Sequence, residues 1–174
     1  MRVARGTATG HMRVMNVRLF SLGAALVAAA GLGVALVSEH WGGLVPCALC
    51  LWERQPYRVT IVLGLVGALV PPPLGRWVLA LVGLVMLASA GLGVVHVGVE
   101  WGFWPSPLPE CAGTDLSGLS IVERLARMPA LPGKPCDEPT YLVPGLPLSM
   151  AAMNLLYSLG LAGLAGWLAW RRVA

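Results

Sequence analysis

The stretch Pro46-Cys47-Ala48-Leu49-Cys50-Leu51-Trp52-Glu53-Arg54-Gln55-Pro56-Tyr57-Arg58 gathers the residues of this chain best placed to do chemistry. Cys47 and Cys50 are three residues apart, so on a helix both sulfurs share one face. At a helix N-terminus the free N–H groups and the dipole stabilise a thiolate, the form that acts as a nucleophile. Arg54, one turn past Cys50, adds positive charge on nearly the same face. The pattern favours a redox-active pair over a structural disulfide or two inert thiols. Cys111 and Cys136 stand apart from it, in proline-rich polar sequence. A disulfide in such a segment can be attacked by an outside thiolate and then exchange with the first pair. A mobile pair beside a membrane-fixed pair makes a relay. Four cysteines allow three full pairings, and the sequence leaves the resting one open. No metal is expected: there is no second Cys-x-x-Cys, and His40 and His96 have no ligand spacing.

A relay needs a final electron acceptor. The sequence carries no haem, flavin or iron–sulfur motif. A lipid-soluble quinone is the natural acceptor for a dithiol at a bilayer edge, with Arg54 polarising a quinone oxygen as it gains electrons.

The elements that must position these groups are membrane spans. The chain has 174 residues, 57% hydrophobic and only 11% charged, too apolar and charge-poor for an ordinary soluble domain. The net charge of +4 does not indicate nucleic-acid binding, because its distribution follows the spans. Arg2, Arg5, Arg13 and Arg18 precede the first apolar run, Arg76 lies between two runs, and Arg171 and Arg172 follow the last. All eight acidic residues fall in the remaining segments. That is the positive-inside pattern. Residues 1–18 read as a basic, irregular tail. The spans read as 19–38, 47–70, 77–99 and 148–170, and 171–174 as a short C-terminal end. The first run exceeds a usual signal-peptide core and no clear small-x-small cleavage site follows it. The second span must begin near Cys47, because Val59–Val70 alone is too short to cross. Glu53, Arg54 and Arg58 then fall within the first turns of a membrane helix, where charged residues are costly and mark functional sites. Pro46 suits the first turn of that helix, Pro56 should kink it or mark its true start, and Pro71–Gly75 reads as a tight turn. Four spans with an inner N-terminus put both termini and Arg76 inside, and all four cysteines outside or at that border. In the polar segment 100–147, Ser120-Ile121-Val122-Glu123 reads as a capping box opening a short helix that lies in the interface or packs on its own loop.

The sequence resembles the disulfide bond formation protein B (DsbB) family of bacterial inner membranes from about residue 18 onward. The resemblance rests on Cys47-Ala48-Leu49-Cys50-Leu51-Trp52-Glu53-Arg54 and on Trp104-Pro105-Ser106-Pro107 ahead of Cys111. Pro135-Cys136-Asp137, Leu148-Ser149-Met150 and His96-Val97-Gly98-Val99-Glu100 add to it. It implies an all-α integral membrane protein: a four-transmembrane-helix bundle with a long periplasmic loop carrying a short interfacial helix, and cytoplasmic termini. It implies a quinone-dependent protein-disulfide oxidoreductase that reoxidises a periplasmic, thioredoxin-fold DsbA-like partner and passes electrons to ubiquinone or menaquinone. On that resemblance Cys111 forms the mixed disulfide with the partner and Cys136 exchanges with Cys47. Cys50 sits beside the quinone, Arg54 supports quinone binding, His96 is counted with them as cofactor-binding, and Glu100 is a further assignment. Apart from the resemblance, a lone histidine near a helix end reads as an interface residue. Two other functions compete. One is a non-enzymatic membrane protein with two structural disulfides. The other is an enzyme of the vitamin K epoxide reductase type, disfavoured because that family carries its quinone-side motif on the last span, and 148–170 has no cysteine.

Overall fold

The structure is a computed structural model. It describes residues 3–111, 120–123, 134–143 and 145–170, with side chains from Val17 onward. Among them the architecture is all α: α1 (Val3–His40), α2 (Ala48–Leu69), α3 (Pro72–Glu100) and α4 (Met150–Trp170), with a 3-10 turn at Pro109–Cys111. The β-type pairing described is one isolated bridge, Tyr141 to Ser149.

Three described segments are long and apolar enough to cross a membrane: Val17–His40, Pro72–Glu100 and Met150–Trp170. α2, with 22 residues, has the length but carries Glu53, Arg54 and Arg58 in its first half. Leu26, Leu69 and Leu84 point outward from the bundle and are largely exposed, as side chains facing lipid would be.

Several local expectations are corrected. The tail is not irregular: α1 begins at Val3, and nothing between there and His40 is a proline that would stop it. Pro71–Gly75 is not a separate turn. Pro71 caps α3, and prolines fill its first positions, where a missing N–H costs nothing. Pro46 lies outside α2, whose N-cap is Cys47. Pro56 sits inside α2 and does not mark its start. At the loop helix, Ser120 Oγ and N–H both bond Glu123 Oε2, at 2.7 and 3.0 Å, and residues 121–123 are helical. Those bonds hold the Glu123 carboxyl below its ordinary pKa. The rest of that expected helix lies outside the described residues.

The helices pack as two pairs, α1 on α2 and α3 on α4, joined through α2 and α3. Small residues set the approach. A Cβ on Gly64 would stand 2.6 Å from the Ser21 carbonyl oxygen, so α1 and α2 meet backbone to backbone there. Gly83 faces Ala162 and Gly166 of α4. Ala24, Ala28, Tyr57, Val82, Met86, Leu161, Ala162 and Ala165 form the apolar core between them. A hydroxyl ladder crosses the same core: Ser158 Oγ donates to Ser89 Oγ at 2.9 Å, and Thr60 Oγ1 donates to Met86 Sδ at 3.2 Å.

Candidate redox site

Cys47 ends the link from α1 in an extended conformation, and its sulfur accepts the Cys50 N–H at 3.2 Å. The cysteine is therefore its own helix cap. The next turn carries Cys50 back over it, with the two sulfurs 2.7 Å apart and both free of a disulfide. Cys111 and Cys136 are joined as a disulfide, with Cα atoms 5.0 Å apart. Both are buried, in one cluster with Cys47, Leu49 and Val99, and Cys50 and Leu108 pack against it. The two cysteine pairs thus share a single apolar contact region.

Two features bring the loop pair there. Trp104 packs against Gly98, where any Cβ would collide with its ring, and its Nε1 donates to the Val95 carbonyl at 3.0 Å. That fixes the chain leaving α3 just before the Pro109–Cys111 turn. On the return, Met150 N–H donates to the Thr140 carbonyl at 2.8 Å, and Ser149 Oγ donates to Glu100 Oε2 at 2.5 Å. Lys134 Nζ donates to Thr140 Oγ1 at 2.8 Å, tying the segment around Cys136 to the same place.

His96, on α3, is buried at 3% exposure. Its Nε2 is 3.4 Å from Cys47 Sγ, and its Nδ1 is 3.1 Å from Glu53 Oε1. Cys47, His96 and Glu53 form one buried chain from thiol to imidazole to carboxylate. With Glu53 ionised and the ring neutral, Nδ1 donates to the carboxylate and Nε2 turns its lone pair to the sulfur. His96 is therefore no interface residue of the kind read from its place near a helix end. Arg54, also buried, is ion-paired with Glu39 of α1. Arg58 is exposed and bonds Gln55 in the same helix, at 3.2 Å. His40 is exposed and donates to the Leu36 carbonyl at 2.9 Å.

Beside Cys50 opens a cavity of about 230 Å³ between α1, α2 and α4. Cys50, Glu53, Arg54, Tyr57, Met153 and Asn154 are among its lining residues, and His96 is not. Gly31 leaves room for it: a Cβ there would stand 3.0 and 3.1 Å from the Tyr157 and Tyr57 rings. The cavity is mostly apolar, with polar groups at one wall. Tyr57 OH donates to Asn154 Oδ1 at 2.6 Å, which fixes that amide with Nδ2 as its other end. Asn154 Nδ2 is buried and faces Glu53 without reaching hydrogen-bond geometry.

Sequence reasoning singled out the cysteines, Glu53 and Arg54, which the structure brings together. It missed Glu39 as the partner of Arg54, and Tyr57, Asn154 and Tyr157 as cavity wall. A signal existed for Asn154, a polar amide inside the last apolar run.

Residues 17–168 match the family model described as Disulfide bond formation protein DsbB. A disulfide bond formation protein B of Chromohalobacter salexigens is 36% identical over 132 residues, covering 71% of this chain and 74% of that protein. An uncharacterized protein of Rickettsia prowazekii is 31% identical over 129 residues, covering 74% of this chain and 73% of that protein. A disulfide bond formation protein B of Vibrio alginolyticus is 35% identical over 78 residues, 44% of this chain and 47% of that protein. No solved structure matches. With a free Cys-x-x-Cys and a disulfide gathered at one end of a set of membrane-type helices, the chain belongs to the DsbB family, membrane oxidoreductases of disulfide bond formation.

Proposed function

We propose that this protein is a thiol:quinone oxidoreductase that reoxidises a periplasmic DsbA-like dithiol. The observation that carries the reading is the shared burial of the two cysteine pairs, one of them beside a cavity. In the first exchange the partner's thiolate attacks Cys111, forming a mixed disulfide and releasing Cys136 as a thiolate. The partner's second thiol then releases Cys111, so the partner leaves as a disulfide and Cys111 and Cys136 remain as two thiols. In the second exchange Cys136 attacks Cys47 of the oxidised Cys47–Cys50 pair, and Cys111 completes the transfer. Two electrons and two protons now rest on Cys47 and Cys50, and the structure has this pair in its dithiol form. A bound quinone, ubiquinone or menaquinone, would supply the two-electron, two-proton sink that returns the pair to a disulfide.

The cavity suits such a group. About 150 Å³ of apolar space suffices to hold a benzene ring, and this cavity is larger. The donors at its wall, the Arg54 guanidinium and Asn154 Nδ2, match the two carbonyl oxygens of a quinone, which only accept. Cys50 stands at that wall as the sulfur nearest the acceptor. His96 takes the Cys47 proton through Nε2, and Glu53 is the positioning residue that holds the ring in that tautomer. The charge distribution and the spans support a multi-pass bacterial inner-membrane protein with cytoplasmic termini and cysteines facing the periplasm.

The test uses the protein in detergent with a reduced thioredoxin-fold dithiol and ubiquinone, following quinone absorbance. Catalytic quinone loss that Cys50→Ser and Cys111→Ser each abolish is the expected result. No quinone loss by a folded sample with an active donor, with menaquinone also tried, would sink the reading.

A further inference from the structure

We propose that the reduced Cys47–Cys50 pair and His96 form a binding site for a soft divalent ion such as Zn²⁺, open only when the pair is a dithiol. The ion would be an inhibitor of the redox pair, not a cofactor. Cys47 Sγ, Cys50 Sγ and a ring nitrogen of His96 lie within 4.8 Å of one another. Zinc takes thiolate at about 2.3 Å and imidazole at about 2.0–2.1 Å, so ligand atoms around one ion stand about 3.5–3.8 Å apart. The separation of Cys47 Sγ from His96 Nε2, 3.4 Å, already matches. The two sulfurs, at 2.7 Å, need to open by about 1 Å.

Three further features make this more than two thiols near a histidine. His96 Nδ1 stands 3.1 Å from Glu53 Oε1 and Nε2 stands 3.4 Å from Cys47 Sγ; with Nδ1 donating to an ionised Glu53, Nε2 offers its lone pair on the sulfur side, the carboxylate–histidine arrangement of metal ligands. Both His96 and Glu53 are buried, which fixes the ring before any ion arrives. Cys50, the less buried sulfur, lines the cavity, giving an entry path and a fourth position for water. The charge also balances. Each ion displaces the two thiol protons, so the site has the same net charge loaded as empty, and no uncompensated charge enters a low-dielectric region. Oxidation closes the site because a disulfide sulfur is neither a thiolate nor free to lose a proton. The inference needs only the reduced pair and His96, and is independent of quinone or partner.

The test uses Co²⁺ as a spectroscopic stand-in and Zn²⁺ as its competitor. The full chain in detergent is reduced anaerobically, with the Cys111→Ser/Cys136→Ser double variant removing the other thiols. The expected result is one Co²⁺ per chain with thiolate-to-cobalt charge-transfer absorption, displaced by stoichiometric Zn²⁺ and absent from oxidised protein. His96→Ala should weaken binding at least tenfold, Glu53→Gln by about 10–100-fold, and His96→Cys, which restores a soft ligand, should keep it tight. Equal Co²⁺ binding by oxidised and reduced protein would overturn the proposal. So would unchanged affinity in His96→Ala, which would reduce the site to a bare dithiol. Should His96→Ala not fold, the other two decide: unchanged affinity in Glu53→Gln or weak binding by folded His96→Cys would overturn it.

Discussion

At the cysteine end the helices meet through sulfur, imidazole, carboxylate and guanidinium; at the opposite end they meet through glycine, alanine and serine. Gly64 against Ser21 and Ala25, and Gly83 against Ala162 and Gly166, bring backbones together with almost nothing between them. Close backbone contact of this kind is how helices associate where lipid offers no hydrophobic drive. At the cysteine end Glu53, Arg54 and His96 add buried charge and hydrogen bonds between the helices, and a cavity opens beside Cys50. The small-residue end acts as a clamp whose value is stability. The polar end spends part of that stability on reactivity, since buried ionisable groups survive only with partners.

Four substitutions would break or sharpen this contrast. The largest effect is expected from Cys50→Ser: turnover with a dithiol donor and quinone should fall to the uncatalysed rate, while the thermal midpoint in detergent stays close to that of the parent. Residual turnover would show that the pair is structural and that the two ends differ less than their residues suggest. Next, His96→Ala should slow turnover about 10²–10⁴-fold, the usual worth of a positioned acid or base. It should also slow alkylation of Cys47 in a stopped-time thiol assay, whereas a merely structural histidine would leave that rate unchanged in folded protein. Gly64→Val reverses the signature. Its side chain has no room beside the Ser21 carbonyl, so unfolding should cost about 1–3 kcal/mol less. Activity per folded molecule should be retained, and a selective loss of activity instead would mean that the clamp also sets the site. The smallest change is expected of Tyr57→Phe. Losing its bond to Asn154 should cost about 0.5–1.5 kcal/mol, read as a lower melting midpoint with the Cys50 alkylation rate unaltered.

The sequence was most legible where the physics runs along one dimension. Hydropathy and proline bound two helices closely, since the span read over 47–70 is the helix Ala48–Leu69 and the span read over 148–170 is Met150–Trp170; the first, read over 19–38, runs Val3–His40. The Cys-x-x-Cys and Arg54 were legible because their neighbours are local. His96 was not, because its meeting with Cys47 joins residues 49 apart and depends on the rotation of α3 against α2, which no periodicity fixes. Glu39 lies just past the end of the span read over 19–38, yet α1 carries its last turn to His40 and delivers the carboxylate to Arg54. The triple proline was read as a break because it usually is one; here it falls at the one end of a helix where it does no harm.

The sulfur of Cys47 that caps α2 is also the atom that bonds to Cys50 in the oxidised pair. Drawing the Cys47 sulfur into a bond with Cys50 Sγ shifts it and makes it a poorer acceptor, so closing the bond weakens the cap on the Cys50 N–H. The first turn of α2 should then fray more in the oxidised protein than in the reduced one. Amide exchange at Cys50 becomes a gauge of redox state that needs no chromophore, and by linkage anything that stiffens this turn shifts the potential of the pair towards its dithiol form.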